Sequence, residues 1–147
     1  MKRHPALASL SRDHHSALRL ARELEDVGRG GGRDPVRAIE ALQRVWKTEL
    51  AGHFAWEERW FGRILAETIE LELLLAEHWN LRKHIEAALA LTAPSAQLNL
   101  RIGHIGVLLR AHVRWEERVL FPAVERVASE DDLAQMLAAA DQPASGF

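Results

Sequence analysis

Apolar residues recur every three to four positions through most of this 147-residue chain, the period of a helix, and no stretch alternates with period two. The first stripe is Leu7, Leu10, Ala17, Leu18, Ala21 and Leu24, which predicts a helix over about 5–27. Gly28-Arg29-Gly30-Gly31-Gly32 breaks it, because clustered glycines make a helix interior costly. Asp34 and Pro35 then supply an N-cap and a first helical residue. The second helix carries Val36, Ile39, Leu42, Val45, Trp46, Leu50, Trp60, Phe61, Ile64 and Leu65. A short turn is expected at 67–70, although neither Pro nor Gly marks it. The third stripe is Leu71, Leu74, Leu75, Leu81, Ile85 and Leu89, closed by Thr92-Ala93-Pro94-Ser95 with Ser95 as the next cap. The fourth carries Leu98, Ile102, Ile105, Leu108, Leu109, Val119 and Leu120, and Pro122 is expected to kink or end it. Ser129-Glu130-Asp131-Asp132 starts a short acidic-capped helix to about 140, and 142–147 has the character of a frayed end.

Short links between long amphipathic helices favour antiparallel neighbours. The expected fold is therefore all-α, an up-down-up-down antiparallel four-helix bundle with a short C-terminal helix. One domain over 1–147 is expected, with the core bundle at about 5–127 and the short helix at about 129–140. In that topology the second and fourth helices run parallel, so a motif present on both enters the core at one level.

Such a motif exists. His53-Phe54-Ala55-Trp56-Glu57-Glu58-Arg59 and His112-Val113-Arg114-Trp115-Glu116-Glu117-Arg118 share the pattern His-x-x-Trp-Glu-Glu-Arg. A helix turns about 100° per residue, so i and i+4 lie about 40° apart and one turn along. Each copy thus aims an imidazole and a carboxylate, His53 with Glu57 and His112 with Glu116, at one point. His14 lies on the first stripe between Leu10 and Leu18, and His78 on the third between Leu74 and Leu81. Each of four helices therefore offers one inward histidine near mid-length. Burying four His and two Glu unpaired would cost several kcal/mol for each charge, on the order of the usual desolvation penalty. A pair of metal ions removes that cost, and mixed imidazole and carboxylate ligands suit hard-to-borderline metals.

The neighbours receive plainer assignments. His15 falls one step off the stripe, at the rim, and His15 for His14 or Glu117 for Glu116 stay open as alternatives. Glu58 and Glu117 are rotated a further step and are expected to pair with Arg or water. Arg59 and Arg118 either orient the carboxylates or pair on the surface. Trp56 and Trp115 are expected to pack between helices. His4 belongs to a flexible start, and His84 and His104 to the surface or its boundary.

Composition narrows the function classes. The chain is 48% apolar with a formal net charge of −2, which gives no electrostatic footprint for nucleic acid. Cysteine is absent, so a disulfide, a thiolate zinc site and a redox thiol are excluded. No apolar segment is long enough to span a membrane, and no apolar region follows Met1-Lys2-Arg3-His4-Pro5. A soluble, unexported, cytoplasmic protein is expected.

The order His14, His53-x-x-x-Glu57, His78, His112-x-x-x-Glu116 resembles the hemerythrin-like, or HHE cation-binding, family over nearly the whole chain. Arg12-Asp13-His14, Ala76-Glu77-His78 and Glu116-Glu117-Arg118-Val119-Leu120-Phe121-Pro122 are similar to its single-domain bacterial members. The resemblance implies a non-haem di-iron centre with an oxo or hydroxo bridge, two Glu bridging the irons and the His as terminal ligands; zinc or manganese are the alternative metals. It departs from oxygen-carrying members, which have a second His one turn before His78 where this chain has Leu74. Their last helix places an Asp five residues after its His, where this chain has Glu116 at four and Glu117 at five. The four-His, two-Glu set resembles proteins that repair iron–sulfur clusters, without their N-terminal paired Cys. The expected function is a protein that binds or reacts with dioxygen, nitric oxide or peroxide in sensing or stress protection. The alternatives are a di-iron enzyme, either a peroxidase or a cluster-repair protein, and a metal-buffering or regulatory cation-binding module.

Overall fold

The computed structural model describes residues 2–91 and 93–140, and every regular element among them is helical. Thr92 and the expected frayed end at 142–147 lie outside the described residues. Helix α1 is Pro5–Gly28, begun by His4, whose Nδ1 accepts the Ala6 N–H at 3.0 Å. Beyond it Gly30 and Gly32 take left-handed backbone (φ 72° and 90°), which glycine adopts without a Cβ penalty. Asp34 accepts the Val36 N–H at 2.9 Å and opens α2, Pro35–Val45. The chain stays helical past Val45. Trp46–Leu50 winds as a π turn, with the Ala51 N–H bonded to the Trp46 carbonyl, and leads into α3, Ala51–Ile64.

The turn expected at 67–70 begins two residues earlier. Leu65 leaves the helix, and Glu67 sits in the left-handed region at φ 64°, uncommon for a residue with a Cβ. Thr68 makes the turn without Pro or Gly. Its hydroxyl donates to the Leu65 carbonyl at 2.6 Å and accepts the Leu71 N–H at 3.2 Å, capping α4, Ile69–Leu89. Ser95 caps α5, Ala96–Trp115, by accepting the Leu98 N–H at 3.0 Å.

Pro122 does not end the fourth stretch. A second π turn, Glu116–Leu120, precedes α6, Phe121–Val127, and the Phe121 N–H bonds to the Glu116 carbonyl. The next carbonyl, that of Glu117, would look for the N–H of residue 122, and proline has none. Arg3 takes that place, donating to the Glu117 carbonyl at 2.8 Å. Arg3 also donates to Glu125 at 2.7 Å, and the His4 N–H does so at 2.8 Å. The start of the chain is thus anchored, contrary to the flexible start expected at His4.

Helix α1 lies along α5 in the opposite sense. Gly28 meets Gly103 at one end, and Glu25 accepts from Arg110 at 2.7 Å farther along. At the other end His14 reaches Glu116 and Arg3 reaches Glu117. Helix α7, Glu130–Ala140, folds back on α1 and buries Leu133 and Met136. The apolar core has two clusters. One gathers Leu20, Leu24, Leu42, Phe54, Ile85, Ile102 and Leu109; the other gathers Leu7, Leu10, Phe61, Leu74, Phe121 and Met136. Six buried polar side chains lie on the same helices between these groups: His14, His53, Glu57, His78, His112 and Glu116. No helix among the described residues is long and apolar enough to cross a membrane.

The α1–α5 contact depends on two glycines. A Cβ on Gly103 would lie 2.7 Å from the Gly28 Cα, a backbone atom that cannot step aside. Gly103→Ala should destabilise the fold by about 1–3 kcal/mol, the usual cost of overpacking. Gly62→Ala, in α3 with nothing within 4 Å of the new methyl, should be neutral or gain about 0.5–1 kcal/mol from helix propensity. Urea unfolding of both variants checks the pair.

Candidate metal centre

Four helical stretches deliver six donors to one buried point. His14 comes from α1, His53 and Glu57 from α3, His78 from α4, His112 from α5, and Glu116 from the first position of the second π turn. The i+4 spacing works as the sequence predicts: His53 Nε2 lies 3.1 Å from Glu57 Oε2, and His112 Nε2 lies 3.5 Å from Glu116 Oε2. From the other two helices His78 Nε2 meets Glu57 Oε1 at 3.1 Å, and His14 Nε2 meets Glu116 Oε1 at 2.9 Å. Both glutamates are fully buried at 0% exposure, which unpaired carboxylates do not tolerate. His15, one residue from His14, is exposed.

Each carboxylate divides its oxygens between two pairs of imidazoles. Glu57 turns one oxygen to His53 and the other to His78, and Glu116 turns one to His14 and the other to His112. The result is two overlapping sets of four donors: His14, His53, Glu57 and Glu116, and Glu57, His78, His112 and Glu116, each set with its donor atoms within 4.8 Å of one another. The donors fit a cation. His112 Nε2 and Glu116 Oε2 are buried without a hydrogen-bond partner, and buried polar atoms are rarely left so. Nitrogen and carboxylate oxygen in these numbers suit iron, zinc or manganese.

The outer nitrogen of every imidazole also has a carboxylate. His14 Nδ1 lies 2.9 Å from Glu117, His78 Nδ1 2.9 Å from Glu58, His112 Nδ1 3.2 Å from Glu77 and His53 Nδ1 3.4 Å from Asp13. Since a carboxylate only accepts, each Nδ1 carries a proton, and each Nε2 faces inward, able to donate its lone pair to a cation once any proton it shares with Glu57 or Glu116 is displaced. Glu58 and Glu117 do pair with arginines, Arg82 and Arg3, but their other role, on a histidine of a neighbouring helix, is not evident from their helix position. Asp13 and Glu77 stand in the sequence only within Arg12-Asp13-His14 and Ala76-Glu77-His78, where the one signal of their role is an acid next to an inward histidine. Arg59 and Arg118 are exposed, and Arg59 lies over the Trp60 ring, so orienting the carboxylates falls to other groups.

The buried cluster perturbs its own protonation. Burial lowers the pKa of His78, but hydrogen bonds to Glu57 and Glu58 outweigh it and raise the value to about 9. Burial likewise opposes the charge on His53, and the nearby Glu57 and Asp13 overcome it to leave the pKa well above 6.5. His14 is raised in the same way, Glu116 outweighing burial. Glu116 moves the other way: burial favours its neutral form, yet the charges and hydrogen bonds of His112, His14 and His53 hold it well below 4.5.

Aromatic and aliphatic side chains wall the cluster. Phe54 stacks on His78 at 4.0 Å and Phe121 on His14 at 5.3 Å. Leu74, one turn before His78, is fully buried and supplies no donor. A cavity of about 10 Å³ touches His14, His53, His112 and Glu116, with Ala17, Val45, Leu50, Phe54, Leu109 and Val113 around it. That volume accommodates one molecule the size of water. A larger cleft of about 520 Å³, lined by Asp13, Lys47, Glu49 and Trp56 among others, reaches His53 from the surface. Trp56 is buried beside Trp60 and Phe61, the packing role expected of it, and Trp115 packs against the same apolar cluster. His84 and His104 face each other at 4.9 Å on α4 and α5, clear of the cluster.

A family model described as the Hemerythrin HHE cation binding domain matches residues 69–142, half of the chain, and includes His78, His112 and Glu116. Comparison with curated proteins and with solved structures finds no match.

These protonation shifts set two expected outcomes. Raised histidine pKa values stabilise the metal-free chain fully below about pH 6.5, and that contribution is lost as pH rises through about 9 for His78. The depressed pKa of Glu116 adds stability that is lost only as pH falls through a value well below 4.5. Melting temperature of the metal-free chain should therefore fall between pH 6.5 and 9 and recover when metal is added. A cation must also displace the protons on His53 and His78, so zinc added to weakly buffered protein at pH 7 should release protons. Apparent affinity should then rise about tenfold per pH unit for each proton displaced. A pH-independent affinity between 6.5 and 9 contradicts the assignment.

Proposed function

The chain belongs to the hemerythrin HHE cation-binding domain family, and from that premise we propose that it holds two iron ions at this cluster and binds or reacts with dioxygen, nitric oxide or peroxide. The observation that carries the reading is the division of each carboxylate: Glu57 and Glu116 each offer one oxygen to either pair of histidines, the arrangement two cations need in order to share them. In this reading His14 and His53 would hold one ion and His78 and His112 the other, with Glu57 and Glu116 shared between them. When bound, a pair of irons supplies one- and two-electron redox chemistry toward small oxidants.

The protein's own residues supply the rest. The carboxylates at each Nδ1 keep the imidazoles in the tautomer that presents Nε2 inward. Phe54, Phe121 and Leu74 are packed against or beside the histidines, and the cavity beside His14, His53 and His112 has room for about one water-sized molecule. Leu74 in place of a donor leaves four histidines rather than five. The reading takes the chain as one cytoplasmic domain with its four long stretches in up-down-up-down order. Contacts between α1 and α5 and between α4 and α5 that run in opposite senses support that order.

Anaerobic loading of the metal-free protein with ferrous iron tests this. Two irons per chain are expected, with an absorbance change on admitting air. His53→Ala and Glu116→Ala should each reduce the tightly bound iron below two. Retention of two irons in both variants, or one zinc per chain with no redox-dependent spectrum in protein from unsupplemented cells, overturns the reading.

A further inference from the structure

The four outer carboxylates follow one rule. Asp13 precedes His14, Glu58 follows Glu57, Glu77 precedes His78, and Glu117 follows Glu116. Each is thus the sequence neighbour of an inward donor on its own helix. Each grips the outer nitrogen of a histidine on a different helix. Asp13 of α1 reaches His53 of α3, Glu58 of α3 reaches His78 of α4, Glu77 of α4 reaches His112 of α5, and Glu117 of the π turn after α5 reaches His14 of α1. The fourth link returns to the helix on which the first began. The acid–donor doublets therefore close into a ring that passes once through every helix carrying a donor.

We propose that Asp13, Glu58, Glu77 and Glu117 act together as positioning residues that set the tautomer and donor strength of all four imidazoles. The proposal rests on the reading of the cluster as a two-iron centre. A carboxylate that accepts from Nδ1–H draws that proton away and makes Nε2 a stronger donor. Stronger donors favour the more highly charged state of a metal, so the ring holds the reduction potential down. Two links are themselves held in place, Glu58 by Arg82 at 3.3 Å and Glu117 by Ser11 at 2.8 Å and by Arg3. Asp13 is the loosest, its side chain 56% exposed and its contact 3.4 Å long. It stands at the cleft that reaches His53.

The test replaces each acid by its amide, which keeps the shape and removes the charge: Asp13→Asn, Glu58→Gln, Glu77→Gln and Glu117→Gln. Glu49→Gln is the control, because Glu49 borders the same cavity but touches Ser16 and no imidazole. All are loaded with ferrous iron, and the midpoint potential and the affinity for ferrous iron are measured. The ring variants should bind ferrous iron about 10–100-fold more weakly. Their potential should rise by the equivalent of a tenfold loss of preference for the oxidised state, about 59 mV for one electron. Asp13→Asn, at an exposed position, tests the claim even where a more buried variant does not fold. If the unaltered chain takes up no iron pair, the two-iron reading fails and the ring fails with it. If the unaltered chain loads two irons and the amide variants match it in potential and affinity, the ring is overturned and the reading stands. An equal shift in Glu49→Gln would also overturn it, since any nearby charge would then do the same.

Discussion

Two fully buried carboxylates at the waist of the bundle govern the rest of the structure. Glu57 and Glu116 sit among apolar side chains, where a lone ionised carboxylate loses several kcal/mol, on the order of the usual desolvation penalty. They persist because four imidazoles converge on them. Removing one member of such a set leaves the others with an uncompensated charge, which typically costs about 3–5 kcal/mol. That constraint explains the division of the core into two apolar clusters with a polar level between them. It also explains why the helices must keep their register: a one-residue slip would rotate a histidine by about 100° out of the cluster.

The second π turn begins at one of these carboxylates and answers a separate constraint, the proline that follows. Glu57 and Glu58 fill the same two roles from the regular α-helix α3, so a divergence of about 100° between neighbours suits the doublet without a π turn. Here Glu116 enters the cluster and Glu117 reaches the outer nitrogen of His14. The wider turn also lets the chain pass Pro122 while remaining helical, with Arg3 on the carbonyl that proline cannot serve. The proline, the π turn and the N-terminal arginine are thus one local solution. π turns within helices are often found where a side chain must be aimed at a functional site.

Much of this was legible in the sequence, and the limits are physical. The helical stretches followed from apolar period and capping residues. His14, His53, Glu57, His78, His112 and Glu116 could be assigned inward because a buried stripe has a definite angle on a helix. The turn at 65–68 was placed late because it relies on a Thr68 hydroxyl and a left-handed Glu67 rather than on Pro or Gly. The passage through Pro122 was hidden because its remedy, Arg3, lies far away in sequence. The same is true of Asp13, Glu58, Glu77 and Glu117. A single helix shows only that these acids lie off its inward stripe. What they touch belongs to the next helix and depends on the order in which the helices pack.

The two halves of the cluster are not equivalent, and this bears on how a small molecule would meet it. His78 lies under Phe54 at 4.0 Å, and Leu74 closes the helix turn above it. His14, His53 and His112 border the small cavity, and His53 also lines the surface cleft together with Asp13. The cavity wall mixes Ala17, Val45, Leu50, Phe54, Leu109 and Val113 with Asp13, Ser16 and Glu49, so a small neutral molecule would lose little on the apolar side while the two acids would oppose an anion. By contact length His14 is the most tightly held imidazole, 2.9 Å from a carboxylate oxygen at both nitrogens, and His112 the least, at 3.2 and 3.5 Å. The carboxylates shared between the halves connect them, so a change of charge on one side is felt by both.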